Sequence, residues 1–253
     1  MTDFTPAQTL ADYALCLGDD ALLLAQRLGA WLTRLPTLEE EVALANIALD
    51  LLGQARLLLA HAGSFSGHDE DALAYRRSPE AYRCVHLVEQ PNGDFAFTIA
   101  RQFLFSAYQY DLYSALQQSA DPVLAAIAAK AIKEVWYHRD HCEQWVHRLG
   151  GGTTESNTRV QQGLDAAWQF VDELFTPDAT TSAAISAHVG VDPSTLRPSW
   201  DAYLLPVIRA CGLNVPRVPN APGGGRRGVR SEHFEALHVE MTELHLAHPG
   251  AFW

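Results

Sequence analysis

The feature that most constrains this chain is a heptad run near its start. Leu10, Leu17, Leu24 and Trp31 recur every seven residues, and Ala14, Ala21, Leu28 and Leu35 form the interleaved set. Two apolar rows at that interval make one continuous seam along a helix, the arrangement used by antiparallel bundles. Thr5, Pro6 and Gln8 supply the helix start and a capping box, and Pro36 supplies its end. Thr37 and Glu40 form a second capping box, after which residues 42–59 are apolar nearly all the way round. That pattern predicts a buried central helix.

A polar loop near residues 63–71 and a short helix opened by Ser78-Pro79 follow, and then the turn Pro91-Asn92-Gly93-Asp94 leads into a third long helix over residues 95–118, rich in aromatics. Asp121-Pro122 opens a fourth, which runs to residue 149 and stops at Gly150-Gly151-Gly152. Further helices are predicted over 160–175, over 196–211 with a kink at Pro206, and over 234–246 with Ser231 as cap. No stretch alternates as a strand would. The expected fold is all-α: a ferritin-like helical bundle with additional C-terminal helices. No composition shift or Ser/Pro-rich linker divides the 253 residues, so a single domain over 1–253 is expected.

A formal net charge of -12 argues against nucleic acid or an anionic membrane as partner, because both reward a basic face. Residues 1–6 hold no basic stretch followed by an apolar one, and no uninterrupted apolar run reaches bilayer length, which predicts a cytoplasmic protein. Cys16, Cys84, Cys142 and Cys211 are scattered with no Cys-x-x-Cys pair, as expected of buried, reduced thiols.

Four long helices raise the question of a di-metal site. Such bundles take one carboxylate from each of two helices and Glu-x-x-His from each of the other two. Between Ala21 and Leu38 the first helix has no acid. The second offers Asp50, but Gly53 stands where His is required; the third has one acid, Asp111, near its far end; and Val135 stands three residues before His138 in the fourth. No such cage can be assembled, and neither metal ligands nor a cofactor site nor catalytic residues are assigned.

What remains is a polar stripe of Asn46, Asp50 and Gln54 at i, i+4 and i+8, facing Lys133, Glu134 and His138 if the bundle closes normally. One reading is a buried remnant in which an Asp50–Lys133 ion pair replaces the cations. Another leaves Lys133 and Glu134 as solvated surface residues. A third makes Glu134, His138 and His141 a zinc site on one helical face. Separately, Gly223-Gly224-Gly225-Arg226-Arg227-Gly228 reads as a flexible basic loop without the strand or the Gly-Lys-Ser/Thr ending of a P-loop. Arg226, Arg227 and Arg230 there are candidates for contact with an anion such as the phosphates of coenzyme A, or with an acidic partner.

The strings Ala43-Leu-Ala-Asn46-Ile-Ala-Leu-Asp50-Leu-Leu-Gly53-Gln54-Ala-Arg56, Val88-Glu-Gln-Pro91-Asn-Gly93-Asp-Phe95, Ile99-Ala-Arg101-Gln102 and Ala129-Lys130-Ala-Ile-Lys133-Glu134 resemble the non-catalytic C subunit family of bacterial phenylacetyl-CoA epoxidases. Val191-Asp192-Pro193-Ser-Thr195-Leu196-Arg197 and the Gly-rich loop leading to Glu232-His233 fit the same family, so the likeness spans about residue 13 to the end. The resemblance implies a multisubunit monooxygenase that converts phenylacetyl-CoA to its ring-1,2-epoxide with O2 and NADPH. A homologous ferritin-like subunit would hold the di-iron centre and a reductase subunit would deliver electrons. It further implies that Trp31, Leu51, Gln54 and Val135 stand at the positions of the metal ligands in the catalytic homologue, with His138 alone retained. The alternative function is an autonomous di-metal oxidase of the ferritin-like class.

Overall fold

The computed structural model describes residues 5–251, and no strand occurs among them. In chain order the helices are α1 (Pro6–Gly29), α2 (Leu38–Ser64), α3 (Glu70–Tyr75), α4 (His86–Glu89), α5 (Phe95–Leu116), α6 (Pro122–Gly150), α7 (Thr154–Trp168), α8 (Val171–Leu174), α9 (Ala179–Ser186), α10 (Arg197–Ala210) and α11 (Phe234–Ala247). The long helices α1, α2, α5 and α6 form the bundle, with α1 on α2 and α5 on α6.

Short turns make each of those pairs antiparallel. Between α2 and α6, Gln54 meets Glu134, Asp50 meets His138 and Glu40 meets His141, so residue numbers fall on one helix as they rise on the other. α2 and α5 are therefore parallel, and the chain must cross the bundle between them. Residues 65–94, carrying α3 and α4, make that crossover. One long crossover in a four-helix bundle is the ferritin-like topology.

Local chemistry explains the starts. Thr5, Thr37, Asp94 and Asp121 accept a hydrogen bond from the backbone N–H three residues on, satisfying one free donor at each helix end. Two expected capping boxes are only half made, because the Gln8 amide turns to Asp12 and the Glu40 carboxylate reaches His141. α1 ends at Gly29, short of Pro36: Thr33 has φ 71°, and Glu41 accepts from the Thr33 and Leu35 backbone amides at 2.7 and 2.9 Å. The expected 160–175 helix begins earlier and is broken into α7 and α8. α9, an added helix, is capped by Asp178. α11 starts without a side-chain cap from Ser231.

One hydrophobic cluster runs from Tyr13 to Met241 and takes in residues of the bundle, the crossover and α7 to α11. α10 lies on α5 and α6, where the Trp200 indole donates to the Leu104 carbonyl at 3.0 Å. All four cysteines are free and buried.

α2 departs from the buried central helix expected. Leu44, Ala48, Leu51, Ala55, Leu58 and Ala62 are buried, but Leu38, Val42, Leu49 and Leu52 are exposed on the opposite side. By length and composition α2 is apolar enough to cross a membrane, although Asn46, Asp50 and Gln54 interrupt its apolar run. Here it packs on α1 and α6 as a bundle helix.

Candidate functional site

Two polar clusters lie within this apolar scaffold. The first joins α2, α5 and α6, where a di-metal bundle would gather its ligands. The Gln54 amide donates to Glu134 at 3.0 Å, and its carbonyl oxygen accepts from the Gln109 amide at 3.0 Å and the Tyr113 hydroxyl at 3.4 Å. Gln54, Gln109 and Tyr113 are buried. One turn away, His138 Nε2 meets Asp50 Oδ2 at 3.0 Å; the His138 side chain is wholly enclosed, while Asp50 is 34% exposed. Beyond it His141 Nε2 meets Glu40 at 2.9 Å. Burial pushes the His141 pKa below the ordinary histidine value, with Glu40 pulling the other way.

Of the six residues of the polar stripe, the structure brings four into contact: Asp50 with His138, and Gln54 with Glu134. Lys133 and Asn46 are exposed, and Asp50 turns to His138, so there is no Asp50–Lys133 ion pair. Glu134, His138 and His141 do not converge, because each is directed to a different residue of α2. Among the described residues no three His, Cys, Asp or Glu side chains group so as to hold a metal ion. The donor set does not fit a di-iron centre: Leu51 and Val135 fill the core beside Gln54, and the amide's hydrogen bonds go to neighbouring side chains. Trp31 lies in the turn after α1, partly buried against the core.

The second cluster sits where α1, the crossover and the C-terminal loop meet. Asp19 pairs with Arg77 and accepts from the Arg83 backbone amide at 2.7 Å. Asp20 pairs with Arg226 at 2.6 Å and accepts from the Val85 amide at 2.9 Å. Glu89 pairs with Arg230 at 2.7 Å and accepts from the Ser231 amide at 2.8 Å. Glu173 takes the Gly224 and Gly225 amides, each at 2.8 Å, and the His86 amide at 2.7 Å. Burial pushes the Asp20 carboxyl up to about 6, with the Arg226 guanidinium working against it.

This cluster corrects the reading of the C-terminal loop as flexible and anion-seeking. Arg226 and Arg230 are consumed in internal pairs, Arg226 also donating to the Cys16 and Arg83 carbonyls at 2.8 Å each; only Arg227 is exposed. Gly225 presses against the crossover so closely that a Cβ there would lie 2.1 Å from the Cys84 carbonyl oxygen. Helical periodicity alone does not single out the acids of this lock. Asp19-Asp20 inside an apolar seam is the signal that could have found them, since unpaired acids are almost never fully buried.

A family model described as phenylacetic acid catabolic protein matches residues 2–253. The chain belongs to that family. It is 45% identical over 245 residues to the C subunit of the 1,2-phenylacetyl-CoA epoxidase of Escherichia coli (strain K12), covering 96% of this chain and 99% of that protein. Membership accounts for the ferritin-like bundle and supports a role in phenylacetate catabolism. The relative's designation as a subunit implies further subunits in its own epoxidase.

Proposed function

We propose that this chain is the non-catalytic, structural subunit of a multicomponent phenylacetyl-CoA 1,2-epoxidase, and that it pairs with and supports a homologous di-iron catalytic subunit in aerobic phenylacetate degradation. The observation that carries this reading is the bundle centre. Leu51 and Val135 are buried there, and Gln54 is tied to Glu134, Gln109 and Tyr113. A bundle that retains the ferritin-like layout while Leu51 and Val135 fill its interior and Gln54 bridges α2 to α5 and α6 needs a reason for its shape other than metal binding. Pairing with a similar bundle supplies one.

The same interior speaks against an autonomous di-metal oxidase, which would need carboxylates and histidines converging on one point. Electrons would reach the complex through its reductase subunit, and neither nucleic acid nor membrane is a partner in this reading. A cytoplasmic location goes with it, the four free, buried cysteines fitting a reducing compartment. The test is reconstitution: the catalytic subunit, the reductase, NADPH and phenylacetyl-CoA, with and without this chain. Epoxide formation is expected only when the chain is present with the catalytic subunit. Full turnover without it, or turnover by this chain with the reductase alone, refutes the proposal.

A further inference from the structure

α2 carries two seams. The inner one, Leu44, Ala48, Leu51, Ala55, Leu58 and Ala62, faces the core. On the other side Leu38, Val42, Ala45, Leu49, Leu52 and Arg56 follow one another at alternating spacings of four and three residues. That is the spacing of a coiled-coil seam; α3 reaches only its far end, where Glu70 pairs with Arg56 at 3.2 Å beside Leu52, and no helix among the described residues covers the rest, Leu38 being 76% exposed and Leu49 63%. Soluble monomers rarely leave a long, contiguous apolar stripe to water.

Gly53 lies beside this outer seam, between Leu49 and Leu57. A Cβ built there would meet nothing within 4 Å. Glycine inside a helix is less favourable than alanine, and no contact among the described residues requires it at position 53. It floors a cleft of about 130 Å3 between α2 and α6, lined by Leu49, Asp50, Leu57, Ile127 and Lys130 among others. On α6, Val123, Lys130 and Tyr137 recur at heptad spacing and are exposed beside it. The chain's only lysines, Lys130 and Lys133, both lie exposed on α6, in a protein of net charge -12.

We infer that the outer face of α2, together with the adjacent edge of α6, is the docking surface for the homologous catalytic subunit, which lays an apolar helix along the outer seam and closes over Gly53 with acidic side chains toward Lys130 and Lys133. This rests on the pairing proposed above and specifies where it occurs. Size is adequate: α2 is about 40 Å long and two adjacent helices are about 20 Å wide, giving roughly the 800 Å2 per partner of a standard stable interface. A heptad seam calls for a helix as its occupant, and the missing Cβ at position 53 admits close approach. The lysine pair favours an acidic partner over a second copy of this chain, which would bring the same lysines.

The test measures affinity of the purified catalytic subunit for the wild-type chain and for Leu49→Glu and Gly53→Leu, beside the melting temperature of each chain alone. Both side chains project into solvent in the free chain, so unchanged melting temperatures are expected for Leu49→Glu and unchanged or higher ones for Gly53→Leu. Affinity should fall at least tenfold in both. Val239→Glu, at an exposed apolar position on α11, should bind as wild type. Wild-type affinity in both seam variants overturns the surface while leaving the pairing intact. A wild-type chain that does not bind the catalytic subunit at all removes the pairing itself. A homodimer that Leu49→Glu converts to monomer assigns the face to a second copy and overturns the choice of partner.

Discussion

The two polar clusters bury acids for different ends. In the lock around α1, the crossover and the C-terminal loop, Asp19, Asp20 and Glu89 each meet an arginine and a backbone amide, in surroundings nearly closed to water. These partners come from segments far apart in sequence, so each ion pair fixes tertiary structure. In the cluster between α2 and α6 the acids meet neutral or weakly basic groups: Glu134 a glutamine, Glu40 a histidine whose pKa is depressed, and Asp50, itself at the edge of an open cleft, the enclosed His138. The lock pairs each of these acids with an arginine. The bundle centre is held by hydrogen bonds of moderate strength that tie α2 to α5 and α6.

The largest effect should come from breaking the lock. Arg226→Ala leaves Asp20 buried without its cation and should cost about 3 to 5 kcal/mol of unfolding free energy, read as a lowered midpoint in urea denaturation. The C-terminal loop should become protease-sensitive in the same variant. Stability retained within about 0.5 kcal/mol would show that the pair contributes no net stability.

Mild acid separates the clusters by sign. Burial pushes the Asp20 carboxyl of the folded chain up to about 6, above its ordinary value. Between about pH 4 and that value the folded state holds a proton the unfolded state lacks, so its contribution to stability falls as pH rises through the window. His141 behaves oppositely. Its folded pKa lies below the ordinary value, so the unfolded chain takes up the proton first and stability is lost as pH drops below about 6.5. Asp20→Asn should therefore steepen the loss of stability on acidification, and His141→Gln should flatten it. Equal slopes in both variants would contradict the assignment.

Asp50→Ala should be milder than the loss of Arg226. Asp50 is one-third exposed and water replaces part of its hydrogen bond to His138, which suggests a cost of about 1 to 2 kcal/mol. Catalytic turnover per assembled complex should be unchanged. A loss comparable to Arg226→Ala would place the α2–α6 cluster among the charged locks. Smallest of all, Gly53→Ala should stabilise the free chain by about 0.5 to 1 kcal/mol, measured by thermal unfolding.

The bundle is legible in the sequence because its information is local. Heptad rows predict α1, the caps at Thr5, Thr37, Asp94 and Asp121 mark helix starts, and the absence of ligand pairs at Gly53 and Val135 can be read from spacing alone. The partners of charged groups are not legible. Asp50 and Lys133 have opposite charges and suitable helices, yet Lys133 points to water and Asp50 to His138, a difference of helix rotation that periodicity does not resolve. Arg226 and Arg230 read as a solvated basic loop because their counter-ions lie 206 and 141 residues away. α2 reads as buried because an apolar residue on an exposed face has the same hydropathy as one in the core; only packing tells them apart.

The central claim, that this bundle has given up its metal site, is tested most directly by iron per chain after expression in iron-supplemented medium. The measurement is elemental analysis of the purified chain beside the purified catalytic subunit. The account predicts far less than one iron per copy of this chain and a di-iron complement in its partner. Two irons per copy of this chain, with the optical signature of a di-iron centre, would contradict it.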